Sequence, residues 1–123
     1  MTTFSITQGD LLPALEDQLL DGGGEPVSLP EGSTVTFVVA RRRGEAPLID
    51  EEGDIVNAAI GHVRYEWVAG DTDEAGEFIY VWVVTWPGTE EADPGVPQTF
   101  PSPGANKLVI ERRLTRAVVE PPA

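Results

Sequence analysis

Four carboxylates crowd into five residues at Asp50, Glu51, Glu52 and Asp54, and a second group follows at Asp71, Asp73 and Glu74. Hard oxygen ligands at that density suit calcium. The first group lacks the alternating D-x-D-x-D-G order of a calcium loop, so it is expected as a solvated acidic loop. The second group offers a carboxylate pair or a cation site, but residues of this type between two strands more commonly cap and turn the backbone. His62 is the sole histidine, a pH-sensitive contact or simply the residue that enters a strand. With no cysteine and one histidine, zinc sites and Ser/His or Cys/His nucleophile sets lack material. No catalytic residues, metal or cofactor are expected.

Two other constellations carry binding chemistry. Trp67, Tyr80, Trp82 and Trp86 have the faces to stack on sugar rings, which would make a carbohydrate-binding module. Strand alternation aims most of them inward, toward a core or a protein interface. Arg41, Arg42, Arg43, Arg112, Arg113 and Arg116 hold six of the eight basic residues. Against 21 acidic residues and a formal charge of -13, these two clusters are natural docking points for acidic patches on neighbouring copies or other proteins. The same balance disfavours nucleic acid and anionic membranes, which are bound largely through Lys and Arg. No basic-then-apolar leader opens the chain and no stretch is long enough to span a bilayer, so assembly in the cytoplasm is expected.

The elements that must position these residues are strands. Val63, Tyr65 and Trp67 alternate with Arg64, Glu66 and Val68, and Phe78, Tyr80, Trp82, Val84 and Trp86 alternate with Ile79, Val81, Val83 and Thr85. Period-two patterning puts each set on one face. No charge interrupts Phe78 to Trp86, which makes it the expected central strand, apolar on both faces. A two-sheet sandwich covers only one, so Ile79, Val81 and Val83 are expected to meet a neighbouring subunit at least in part. Ala69 to Glu77 is expected as a hairpin turn or a corner crossing between sheets.

Further strands are expected at Thr3–Thr7, Thr34–Arg42, Ile55–Ile60, Val96–Phe100 and Lys107–Arg112, with a short edge strand at Pro47–Ile49 blunted by its proline and the acidic run. Residues 11–20 read two ways. Leu12, Leu15 and Leu19 have helical spacing behind Asp10, whereas the Gly22, Gly23, Gly24 turn and the lack of helical partners favour a strand. Length fits one domain, taken as residues 1–113, with 114–123 an extended tail. The fold class is all-β, a β-sandwich of seven to eight antiparallel strands, with a small barrel second.

The order of the pieces adds a resemblance. Phe4 to Asp10 (FSITQGD), Leu20-Asp21-Gly22, Pro26 to Leu29, Thr34 to Phe37 (TVTF), Gly61 to Trp67 (GHVRYEW), Asp71-Thr72, Gly76-Glu77-Phe78 and Thr99-Phe100-Pro101 resemble, in sequence, the N-terminal domain of phage baseplate upper proteins. The resemblance covers Phe4 to Ile110. It implies an immunoglobulin-like sandwich and a non-enzymatic structural role in a tailed bacteriophage virion, as a tail or baseplate (minor tail) component docked to other virion proteins and oligomeric in the particle. A capsid decoration or head-to-tail connector is the alternative within the virion. Asp71, Thr72, Gly76 and Phe78 would form the structural corner. Phe78 stands where the family carries tyrosine, so this corner must rest on packing and on Asp71 or Thr72.

Overall fold

The computed structural model describes residues 3–87, 95–100 and 105–114. In chain order the strands are β1 (Thr3–Thr7), β2 (Leu15–Gln18), β3 (Thr34–Ala40), β4 (Ile49–Glu52), β5 (Asp54–Asn57), β6 (His62–Tyr65), β7 (Gly76–Trp86), β8 (Val96–Phe100) and β9 (Asn106–Glu111), with one 3-10 turn at Ala58–Ile60. The larger sheet runs β1-β9-β7-β3-β4, with β8 also on β7, and the smaller runs β2-β6-β5. A three-stranded sheet of the second, sixth and fifth strands facing a sheet centred on the third and seventh is the strand order of an immunoglobulin-like sandwich.

The uncharged run is the hub, as its patterning predicts. One edge of β7 pairs with β3 over Ile79–Thr85. The other pairs with β9 over Gly76–Tyr80 and with β8 over Trp82–Trp86. Phe78, Tyr80, Trp82 and Val84 are buried, while Ile79, Val81 and Val83 on the opposite face are half-exposed. The segment between β6 and β7 is a corner crossing, because those strands lie in different sheets.

Several boundaries differ from expectation. Nine strands form among the described residues where seven to eight were expected, and β1 runs parallel to β9 within a sandwich expected to be antiparallel. The edge strand is the acidic run itself, Ile49–Glu52, anchored by buried Ile49 and exposed at its three carboxylates. Charge on an edge strand guards it against further pairing without preventing it from forming. The strand expected over Ile55–Ile60 ends at Asn57, whose side chain accepts from the Ala59 N–H at 3.2 Å and turns the chain into the 3-10 segment. Residues 15–18 are strand. The tail expected over 114–123 lies outside the described residues beyond 114.

Both sheets contribute to one hydrophobic cluster. Phe37 is its centre, with ring centroids 4.5 Å from Tyr65, 4.9 Å from Trp82, 5.5 Å from Tyr80 and 5.7 Å from Trp67. These offset and edge-on contacts add to simple area burial.

Candidate functional site

The acidic run does not converge. The pleat of β4 places Asp50 and Glu52 opposite Val38 and Thr36, and Glu51 opposite Phe37. Glu51, Glu52, Asp54 and Glu66 border an open hollow of about 400 Å³. Among the described residues no three His, Cys, Asp or Glu side chains come together as metal ligands. His62 opens β6, half-exposed, with Nε2 2.7 Å from Glu16 Oε1 on β2.

The second acidic group builds the corner. Asp71 Oδ2 accepts from the Tyr65 hydroxyl at 2.7 Å and from the Val68 N–H at 3.0 Å. Buried Thr72 donates its hydroxyl to the Asp10 carbonyl at 2.9 Å, tying the corner to the turn after β1. Phe78 is buried and has no hydroxyl to give. Tyr65, one strand earlier, supplies the phenol instead. Burial, and then the Asp71 carboxylate, push the Tyr65 pKa upward, so the hydroxyl stays a donor at all ordinary pH. Tyr65→Phe should lower unfolding free energy by about 1 kcal/mol, read as a lower urea midpoint at unchanged slope.

Three of the four aromatics suited to sugar stacking are core residues: Trp67, Tyr80 and Trp82 are buried. Trp86 is half-buried and donates Nε1–H to Gln98 Oε1 at 2.9 Å.

Asp17 stands on the inner side of β2, between buried Leu15 and Leu19. Trp82 donates Nε1–H to its Oδ2 at 2.8 Å, so one hydrogen bond spans the two sheets. The buried Tyr80 hydroxyl faces the same carboxylate without a hydrogen bond of regular geometry. Burial raises the Asp17 pKa above its ordinary 3.8, and the Trp82 and Tyr80 donors oppose that rise. Below pH 3.8 the carboxyl is protonated folded or unfolded. As pH rises from there through the folded-state pKa, the unfolded chain loses its proton first and stability falls. Asp17→Asn keeps an acceptor for Trp82 and removes the charge. It should gain under about 1 kcal/mol at neutral pH, since water still screens part of the carboxylate, and should flatten the fall in thermal midpoint from mildly acid to neutral pH. Asp17→Leu strands the Trp82 donor and should lose about 2 kcal/mol.

The arginines divide by what they touch. Arg41 pairs with Glu74 and stands 5.6 Å over the Phe78 ring. Arg42 pairs with Glu45 at 2.7 Å. Arg113 pairs with Asp10 and donates Nε–H to the Gln8 carbonyl at 3.0 Å, which fixes the end of β9 to the turn after β1. Arg43 and Arg112 are exposed and make no ion pair among the described residues. Arg116 lies outside them.

Among the described residues, two further surfaces carry unfilled apolar area. On the outer face of the larger sheet, Ile79, Val81 and Val83 pair with Ala40, Val38 and Thr36. This half-exposed stripe contains an apolar dimple of about 50 Å³ at Val38, Ala40, Ile79 and Val81. At the end of the sandwich where β7 begins, a cavity of about 290 Å³ opens over Val39, Ile49, Phe78, Leu108 and Ile110, rimmed by Asp71, Asp73 and Glu74. Alternation in β7 signalled the stripe. The cavity had no sequence signal, because it depends on how far the corner stands off the sheet. Compared with protein-family models and with curated proteins, the chain gives no match.

Proposed function

We propose that this chain is a non-enzymatic structural component of a tailed bacteriophage virion, a tail or baseplate part that docks to other virion proteins through the outer face of its larger sheet. The observation that carries the reading is the apolar stripe of Ile79, Val81 and Val83, half-exposed on the longest strand of the molecule. Apolar side chains in a row on a rigid sheet suit a flat protein partner, and repeated copies around a symmetry axis add avidity to each weak contact. The sandwich supports the reading as the architecture implied by the baseplate resemblance, and the inward packing of Trp67, Tyr80 and Trp82 leaves a sugar-binding platform little to build on.

The test is incorporation. Val81→Glu places a charge in the middle of the stripe without touching the core, so the purified variant should keep its thermal midpoint within a few degrees. Labelled wild-type protein should appear in particles at a fixed position, and the variant should be reduced there at least about tenfold, as for a central interface residue. Label at the tail tip places the protein in the baseplate, and label on the shell or neck places it at the head. Normal incorporation of a folded Val81→Glu protein removes the stripe as the docking face.

A further inference from the structure

Five of the nine exposed large apolar residues among the described ones, Leu11, Leu12, Leu48, Val68 and Leu114, gather at one end of the sandwich. Strand pairing shows why. Gly76 pairs with Ile110, Val39 with Ile49, Leu15 with Tyr65 and Thr7 with Glu111, so the segments carrying these five residues all lie beside the corner. The apolar cavity opens at the same end. Leu114 is 89% exposed, because Arg113 is held against Gln8 and Asp10 at the β1 edge. Arg112 has no ion-pair partner among the described residues, whereas the cavity rim carries Asp71, Asp73 and Glu74 against the single guanidinium of Arg41.

We infer that this end is a self-association surface on which Leu114 of one copy enters the apolar cavity of a second copy while Arg112 meets its acidic rim. The sizes agree, since a dry cavity of about 150 Å³ already takes a benzene-sized group and this one offers about 290 Å³. The charges agree as well: an excess of rim carboxylates faces a segment with adjacent arginines, and Asp73 makes no ion pair of its own among the described residues. Cavity and inserting segment share one end, so the exchange is reciprocal, and a reciprocal contact closes at two copies. Leu48 at the mouth adds apolar area around the inserted side chain. This dimer is a property of the protein alone and stands apart from the virion reading, which uses a different face.

The experiment is sedimentation of the purified full chain over a concentration series, with far-UV circular dichroism as a check on folding. The wild type should be a monomer–dimer equilibrium. Leu114→Asp and Arg112→Glu should each raise the dimer dissociation constant at least about tenfold, as for central contacts. Neither should alter the fold, because both side chains are exposed. Combining Arg112→Glu with Asp73→Arg reverses the charge pair reciprocally and should restore dimerisation. A wild type that stays monomeric at about 100 μM, far above ordinary specific affinities, overturns the inference. So does a dimer indifferent to the single variants, or a monomer destabilised by Leu114→Asp, which would place Leu114 in its own cavity.

Discussion

Phe37→Ala should remove about 4 kcal/mol from the unfolding free energy, a large share of the roughly 5–15 kcal/mol that holds a domain together. Phe37 is fully buried and touches four other large rings of the core, two on the smaller sheet's side and two on β7. Deleting its ring leaves a void bounded by both sheets. Tyr65 and Trp67 on one side, and Tyr80 and Trp82 on the other, cannot all collapse inward, because Tyr65, Trp67 and Trp82 are also tied by a polar end. The Tyr65 hydroxyl is bound to Asp71, Trp67 Nε1 to the Pro13 carbonyl, and Trp82 Nε1 to Asp17. Phe37→Leu refills much of the volume without the ring contacts and should lose about half as much. Urea unfolding followed by tryptophan emission reports both. If the alanine variant loses under about 1.5 kcal/mol, the core repacks freely and the polar ties do not restrain it.

Phe37 also shows what could be read in advance. Its place in the alternating Thr34–Arg42 strand puts it in one row with Val35 and Val39, just as Phe78, Tyr80, Trp82 and Val84 share a row within β7. Period two is decisive wherever one face is buried, so the inner rows, the hub strand and the sandwich class were legible. Features set by contacts distant in sequence were not. Whether residues 15–18 paired with β6 depended on a partner more than forty residues away, and local spacing alone favoured a helix. Asp17 is intelligible only after Trp82 and Tyr80 arrive opposite it. Arg113 looked like a free docking group until the turn after β1 was seen to bind it. A cluster of like residues indicates available chemistry, and the fold decides how much of it is consumed internally.

Gly61→Ala should be nearly as severe as the loss of the Phe37 ring, for a reason that involves no side chain. Gly61 ends the 3-10 segment in the left-handed region at φ 66° and is buried. Alanine in that conformation is strained by about 1–2 kcal/mol. Its Cβ would stand 2.6 Å from the Val27 carbonyl oxygen and 3.0 Å from that of Leu19. Neither oxygen can swing aside like a flexible side chain. The Leu19 carbonyl accepts from the Val27 N–H at 2.9 Å, and the Leu19 N–H donates to the Gly61 carbonyl at 2.8 Å, so relief at one atom breaks the join between the end of β2 and the entry to β6. The expected total is about 3 kcal/mol, in the range for strain combined with overpacking. Gly70→Ala separates the two causes. Gly70 also has positive φ, at 99°, but nothing lies within 4 Å of its added Cβ, so it should show the strain alone. The difference between the two variants in urea measures how firmly backbone contact, without any side chain, closes the smaller sheet against the 3-10 turn. Equal losses at the two glycines would mean that the join yields, and that the edge strand β2 can part from β6 while the larger sheet stays folded.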